Sequence, residues 1–258
     1  MISYLVSNDD GIRAAGITAL IKALSAQKDV NVYVCAPDGQ RSGNSQSISL
    51  NGTVYVKETE VEGAKRAWET SGTPADCVKI GIQKCEELGI SLDMVFAGIN
   101  MGSNVGKDTL YSGTVGAAKE AAVSGYKSVA LSVAGHHCTH FDGACNIAIE
   151  YVDKLRDFIT PNMILNINVP DLPEDKIKGV KFTKLGPRYF RDRFWEHVDD
   201  GPGAYRLDGA PGDFSDLGNE YDACAMQSGY ASITPLHFDY TDYNILEDLK
   251  KWEAENLE

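Results

Sequence analysis

Apolar and polar positions along this chain follow two periods in turn, one of strands and one of helices, and the switches between them outline a fold. Ile2–Ser7 is a continuous apolar run that ends in polar residues, the pattern of a strand buried on both faces. Over Gly16–Ala26, residues Ile17, Leu20, Ile21 and Leu24 recur at helical spacing. Val30–Cys35 reads as a second strand, closed by the turn cluster Ala36-Pro37-Asp38-Gly39. Thr53–Val61 alternates apolar and polar residues, as a half-exposed strand does. Pro74 opens a helix through Cys85, with Thr73 as its N-cap and proline at the first helical position. Met94–Gly98 is another buried strand, Thr114–Ser124 a helix of small residues, and Ser128–Val133 a further strand. A helix over roughly Gly143–Phe158 leads into the strand Met163–Val169.

Strands separated by helices imply right-handed crossovers and an α/β fold with a mostly parallel sheet flanked by helices. The pattern changes after Pro170. Residues 186–230 are rich in Gly, Asp, Tyr and Arg without a clear period, which predicts an extended arm or β-hairpin. The strand Tyr230–Pro235 and the helix Tyr243–Asn256 close the chain. The expected division is a core over 1–185, then an arm, returning strand and C-terminal helix over 186–258. A long irregular arm within one monomer runs against the usual loop lengths, so it is expected to dock on a second subunit.

Composition narrows the class without changing this outline. Hydrophobic residues make up 43% and charged residues 24%, as in ordinary globular proteins. The longest apolar runs are about six residues, far short of the ~20 that a membrane span needs. No basic segment precedes the first apolar run, so no signal peptide is expected. Cys35, Cys77, Cys85, Cys138, Cys145 and Cys224 show no Cys-x-x-Cys spacing, which predicts free thiols in a reducing, cytoplasmic setting. The net charge of −13 is uneven, with 10 Lys/Arg against 19 Asp/Glu in residues 171–258. No basic block exists to track a long nucleic acid.

Candidate chemistry gathers where ligands sit in a parallel sheet, beyond the carboxyl ends of the strands. Asp9 and Asp10 follow the first strand, and Gly11 permits a turn that brings both carboxylates around. Two carboxylates about 4 Å apart repel by roughly 4 kcal/mol at an effective dielectric near 20, a cost that a divalent cation removes. With Ser and Asn oxygens nearby, such a site selects Mg²⁺, Mn²⁺ or Ca²⁺ over zinc. Taken alone, Asp-Asp-Gly reads more simply as a turn at Asp10-Gly11 with Asp9 as a helix cap. Arg41-Ser42-Gly43-Asn44-Ser45-Gln46-Ser47 offers hydroxyls, amides and one guanidinium suited to a phosphate, or a solvated loop. Gly98-Ile99-Asn100-Met101-Gly102-Ser103-Asn104-Val105-Gly106 lacks dinucleotide and P-loop spacings. Ser112-Gly113-Thr114 leads into a helix whose free N–H groups can cradle a phosphate, or it is simply a capped helix. His136, His137 and His140 are expected in a loop near the crevice, and no Gly-x-Ser-x-Gly elbow supports a serine triad.

Together these segments resemble the SurE survival-protein family of 5′/3′-nucleotidases. The resemblance rests on Asn8-Asp9-Asp10-Gly11-Ile12, Ala36-Pro37-Asp38, Arg41-Ser42 and Ser71-Gly72-Thr73-Pro74-Ala75-Asp76-Cys77. It continues in Gly98-Ile99-Asn100, Asn104, Tyr111-Ser112-Gly113-Thr114-Val115 and Ile233-Thr234-Pro235-Leu236, with Asp239 and Thr241. It spans essentially the whole chain. It implies a Rossmann-like domain whose C-terminal arm is exchanged between subunits of a dimer or tetramer. It also implies that Asp9, Asp10, Ser42 and Asn100 bind one divalent metal per subunit, Mg²⁺ or Mn²⁺, with Ca²⁺ as a substitute. Asp9 and Asn100 would then be catalytic, while Asn104, Ser112, Gly113, Thr114 and Arg41 hold the substrate's phosphate. Glu220-Tyr221-Asp222 and Tyr243 depart from the family pattern in the arm and near the C-terminus.

The expected activity is hydrolysis of nucleoside 5′-, and also 3′-, monophosphates by a metal-activated water. Two alternatives stay open at this point. An aspartyl-phosphate phosphatase wants Asp-x-Asp-x-Thr, where this chain has Asp9-Asp10-Gly11-Ile12-Arg13. A phosphate- or nucleotide-sensing module would use the same crevice without turnover.

Overall fold

β1 (Ile2–Ser7) runs through the interior of a nine-stranded sheet, which accounts for its unbroken apolar sequence. The computed structural model describes residues 1–135, 137–187, 190–212 and 217–256. From β1 the chain passes through α1 (Ala15–Ser25) to β2 (Val30–Pro37), then through an edge hairpin, β3 (Val56–Thr59) and β4 (Arg66–Thr70). α2 (Pro74–Glu87), β5 (Met94–Met101), α3 (Gly113–Val123), β6 (Ser128–Ala134), α4 (Asp142–Lys154) and β7 (Ile164–Pro170) follow. The remainder comprises β8 (Val180–Phe182), β9 (Phe190–Glu196), β10 (Tyr205–Pro211), α5 (Asp222–Gln227), β11 (Ala231–Leu236) and α6 (Tyr243–Asn256).

The sheet order is β3-β4-β2-β1-β5-β6-β7-β11-β8, and the strands from β4 to β7 are mutually parallel. β3 and β11 are antiparallel to their neighbours β4 and β7. β2 lies on one side of β1 and β5 on the other, so the strand order reverses at β1 and opens a crevice at its carboxyl end. Side chains alternate between faces along each strand. Tyr4 and Val6 join Ile17, Leu20, Ile21, Ala148 and Val152 on the face covered by α1 and α4. Leu5 joins Trp68, Val78, Ile82, Ala117 and Ala121 under α2 and α3. The small residues of α3 seat it close to the sheet, with Ala117, Ala118 and Ala121 fully buried.

Several expected elements have different limits. The strand expected over Thr53–Val61 is only Val56–Thr59, an exposed edge. Its partner β4 was not evident in the sequence, because Arg66 and Glu69 interrupt its apolar residues. Both charges are met locally: Arg66 pairs with Glu58 across the hairpin, and Glu69 with Arg13. The helix expected to reach Phe158 ends at Lys154. Within residues 186–230 the described chain forms the antiparallel hairpin β9–β10 and the short helix α5. β11 then returns to the central sheet, while α6 has no buried residue. All six cysteines are free and buried. Among the described residues, no helix is long and apolar enough to cross a membrane.

The start of α2 ties this framework to the loop after β2. Thr73 Oγ1 accepts the Asp76 N–H at 3.1 Å, and the Asp76 carboxylate accepts the Thr73 N–H at 3.0 Å, a reciprocal capping box. The Thr73 hydroxyl also donates to the Ser47 carbonyl at 2.6 Å, and Asp76 accepts from the N–H and hydroxyl of Ser49. Thr73→Ala should therefore lower stability by about 1–2 kcal/mol, read as a fall in the urea unfolding midpoint. A midpoint equal to that of the unsubstituted protein would contradict the role given to this cap.

Candidate active site

β1 ends at the point where the strand order reverses, and the next residues turn back on themselves. The Asn8 side chain accepts the Gly11 N–H at 3.2 Å and donates to the Gly11 carbonyl at 2.9 Å, closing a tight loop in which Gly11 has φ +107°. This loop presents Asp9 inward and Asp10 toward the β5 side. Asp9 is 4% exposed. Its Oδ1 accepts the Thr114 hydroxyl at 2.5 Å, at the first turn of α3. A Cβ on Gly113 would lie 2.7 Å from Asp9 Oδ2, so glycine is what lets the helix terminus close on the carboxylate. Asp10 Oδ2 accepts the Met101 N–H at 3.1 Å, which fixes it against the end of β5.

Two further loops enter the crevice. The Arg41 N–H donates to the Asp9 carbonyl at 2.6 Å. Gln40 donates to Ser42 Oγ at 3.0 Å, and the same side chain lies close enough to Asp10 to favour its charged form. The same loop is anchored at its far end: Ser45 bonds to the carbonyls of Leu110 and Tyr111, and Gln46 donates to the buried Glu120 at 2.9 Å. On the other side, the β5–β6 register shifts between Ala97 and Asn100, which sets Asn100 opposite Ser132. The Asn100 amide donates to the Gly102 carbonyl at 2.7 Å.

Asp9, Asp10, Ser42, Asn100, Gly113 and Thr114 thus belong to one neighbourhood of touching loops. Ser112 caps α3 by accepting the Val115 N–H at 3.0 Å. Thr114, expected to hold a ligand, also holds Asp9. Arg41 and Asn104 have their polar groups engaged elsewhere. The Arg41 guanidinium pairs with Asp38 at 2.6 Å, and the Asn104 amide donates to Ser132 Oγ at 2.8 Å. Among the described residues, neither His137 nor His140 is hydrogen-bonded to these loops. His140 Nδ1 lies 2.9 Å from Asp171 Oδ1, His137 is exposed, and His136 lies outside the described residues.

Three supporting residues escaped the sequence reading. Asn166 and Asn168, both fully buried on β7, donate to the Asn104 carbonyl at 2.9 and 3.0 Å. Asn168 Oδ1 also accepts the Asn104 N–H at 2.7 Å. Their signal was present: two asparagines at i and i+2 of an apolar strand lie on one buried face and need partners there. Asp222, also fully buried, accepts the Gly106 N–H at 2.8 Å and the Gly186 N–H at 3.0 Å, tying the glycine-rich loop to the chain after β8.

The electrostatics fit a cation. Burial raises the Asp9 carboxyl from 3.8 to about 6, the Thr114 hydroxyl opposes that shift, and the Asp10 charge adds to it. Asp10 is also raised by burial, against the Met101 N–H and Gln40. Two adjacent carboxyls are therefore held uphill, while Arg41 and Arg13 are paired with Asp38 and Glu69. Among the described residues no group of three or more His, Cys, Asp or Glu is placed to hold a metal. The set gathered here is two carboxylates with neutral side-chain oxygens, which suits a hard divalent ion.

Comparison with known proteins bears on this site. The family model described as "Survival protein SurE" matches residues 4–192. The chain is 41% identical over 249 residues to the 5′-nucleotidase SurE of Pelotomaculum thermopropionicum, covering 96% of this chain and 93% of the relative. It is 40% identical over 253 residues to the 5′/3′-nucleotidase SurE of Proteus mirabilis, covering 98% and 96%. The crystal structure of the SurE protein from Aquifex aeolicus superposes with a TM-score of 0.80 at 34% identity, covering 97% of this chain and 99% of that one.

The raised Asp9 carboxyl has a consequence for the metal-free protein. Between the unfolded value of 3.8 and the folded value of about 6, the native state keeps a proton that the unfolded chain has released. Stability from this group is full below that window and falls as pH rises through it, by on the order of 3 kcal/mol. In EDTA, urea unfolding from pH 4 to 7 should show this fall, and Asp9→Asn should remove it. Parallel curves for the two proteins would contradict the assignment.

Proposed function

Because the chain belongs to the Survival protein SurE family, we propose that it hydrolyses nucleoside monophosphates to nucleoside and phosphate at the crevice beyond β1. It is a phosphoric monoester hydrolase of an α/β, Rossmann-like fold. The single observation that carries the site assignment is the convergence of three loops on the buried Asp9 and the half-buried Asp10, at the strand-order reversal and beside the first turn of α3.

Asp9, Asp10, Ser42 and Asn100 would hold one divalent ion, Mg²⁺ or Mn²⁺, and the same oxygens accept Ca²⁺. Such an ion supplies an acidified water and neutralises charge on the phosphoryl oxygens. The chain's own groups do the rest. Thr114 fixes Asp9 by its hydroxyl, so that the carboxylate orients the attacking water in line with the scissile bond. The N–H groups of the Ser112-Gly113-Thr114 turn would meet the phosphate, and Arg41 and Asn104 would join them on exchanging Asp38 and Ser132 for its oxygens. Asn166 and Asn168 keep the Asn104 loop in place for this task. Water adds to phosphorus as the ester bond breaks, and the nucleoside leaves as its alcohol. The 5′ ester is the principal substrate and the 3′ ester a second one, as the names of the relatives suggest.

Residues 1–185 form the catalytic core in this reading, and 186–258 the arm, the returning strand and the C-terminal helix. The arm and α6 join copies of the chain into a dimer or tetramer. Exposed Trp195 and Tyr205 on the hairpin, and Ile245, Leu249 and Trp252 on α6, support that assembly. Free, buried cysteines support a cytoplasmic setting.

Phosphate release from AMP and GMP, with Mg²⁺ or Mn²⁺ and again with EDTA, tests the assignment. EDTA should abolish turnover, and Asp9→Ala should lower kcat/KM by about 1000-fold or more. Metal-dependent nucleotide binding without phosphate release would instead make the protein a sensing module.

A further inference from the structure

α3 is tied to the loops of the candidate site at two places along its length. Its first turn donates the Thr114 hydroxyl to Asp9. Six residues on, about 9 Å along the helix axis, Glu120 turns a carboxylate toward the loop after β2. Glu120 is 4% exposed, so its charge has to be met by protein groups. Two donors meet it, one on each oxygen. Gln46 donates to Oε2 at 2.9 Å, and the Lys79 ammonium on α2 lies 2.8 Å from Oε1.

The bond to Gln46 belongs to a close seating of loop on helix. Gly116, one turn before Glu120, faces the loop backbone. A Cβ there would fall 2.0 Å from the Ser45 carbonyl oxygen and 2.9 Å from the Gln46 nitrogen. Ser45 itself has φ +52°, a left-handed conformation unfavourable to a residue with a side chain. Its N–H and hydroxyl hold it there, donating to the carbonyls of Tyr111 and Leu110 at 3.1 and 2.8 Å. Ser42 lies between this seat and a second fixed point, the Arg41 N–H bonded to the Asp9 carbonyl. Only Ser42, Gly43 and Asn44 separate the two. Ser42 is exposed, so the anchors on either side, rather than packing, decide where its oxygen sits.

We propose that Glu120 is a positioning residue for the metal: through Gln46 it fixes the loop that carries Ser42, and so sets the affinity of the site for a divalent ion. This rests on the reading of Asp9, Asp10, Ser42 and Asn100 as the ligand set and adds a residue outside it. Glu120 touches neither the ion nor the substrate. Because α3 also carries the Ser112-Gly113-Thr114 turn, one helix places both the phosphate cradle and the serine ligand.

Calorimetric titration of the metal-free, full-length protein with Mn²⁺, without nucleotide, compares the unsubstituted chain with four variants. Affinity should fall about 10-fold in Glu120→Leu, which leaves Gln46 without its acceptor. Gly116→Ala, which crowds the loop aside without a change of charge, should show a fall of about the same size. Glu120→Gln keeps an oxygen for Gln46 and should stay within about 3-fold. Lys79→Met should lower the urea midpoint yet bind Mn²⁺ within about 2-fold, because Lys79 reaches Glu120 and not the loop. At saturating Mn²⁺, kcat with AMP in Glu120→Leu should return to within about 3-fold of the unsubstituted value.

Equal Mn²⁺ affinities in Glu120→Leu and the unsubstituted protein overturn the proposal. So does an equal fall in Lys79→Met, which would mark a general loss of packing, or a kcat loss that saturating Mn²⁺ does not recover. Where Glu120→Leu does not fold, Gly116→Ala carries the same comparison. Absence of Mn²⁺ binding by the unsubstituted protein overturns the metal reading and this proposal with it. Binding without phosphate release from AMP refutes the nucleotidase reading alone, and the Mn²⁺ affinities still decide the role of Glu120.

Discussion

The structure is organised around one buried carboxylate, that of Asp9, enclosed between the end of a central strand and the first turn of α3. An ionised group in that position is costly unless something compensates it. Part of the compensation is internal, since Thr114 donates its hydroxyl to Asp9 and the positive end of the helix lies alongside. It is incomplete, because the carboxyl still titrates near 6. The remainder is an unmet demand for positive charge at a place where Asp10 adds a second negative one. No paired arginine relieves it, since Arg13 and Arg41 are committed to Glu69 and Asp38. A protein that keeps a carboxylate buried beside a second, half-buried one holds it against its own stability, the usual mark of a binding site rather than of packing.

Around that constraint, the loops are held by polar ties, with apolar contact added where Val105 packs on Ala223 and Met226. The Asn104 segment has its N–H and carbonyl fully engaged by two asparagines from β7. The loop after β2 is fixed by Gln46 to Glu120, by Ser49 to Asp76 and by Ser47 to Thr73. Gly106 is fixed to Asp222. The ties to Asn104, Glu120, Asp76 and Gly106 each satisfy a buried backbone or side-chain group that water would otherwise have to reach. The result is a set of loops tied to one another and to the sheet at several points. A reaction that depends on placing oxygen atoms to within a fraction of an ångström needs that stiffness more than it needs mobility.

How much of this was legible in the sequence follows from the range over which each signal acts. β1, β5, β6 and β7 are buried on both faces, so their identity is written in consecutive residues. α1 and α2 carry a clear helical period, and α2 announces its start with Thr73-Pro74. β4 was missed because its charges find partners on other elements, and Arg13 and Glu69 are far apart in sequence. The hairpin and α5 lacked a period because most of the hairpin's side chains face solvent. At the site, Asp9-Asp10 drew notice as a local oddity, but its meaning depended on Gly113, Thr114 and Gln40, which only the fold brings close. Asn166 and Asn168 were visible and were read simply as part of a strand. Polar residues on the buried face of a parallel strand carry as much information as the apolar ones around them.

The uneven charge of the chain is understood in the same terms. Its acidic excess lies beyond Pro170, in the part that includes the hairpin, and away from the loops that would meet a phosphate. Negative charge beside an anion site weakens the site unless it discriminates between anions. The carboxylate pair Asp9-Asp10 belongs instead to the part of the chain whose charge is nearly balanced, with 14 Lys/Arg against 18 Asp/Glu over residues 1–170. Its demand for a cation therefore comes from burial and from the neighbouring carboxylate, and not from the net charge of the protein.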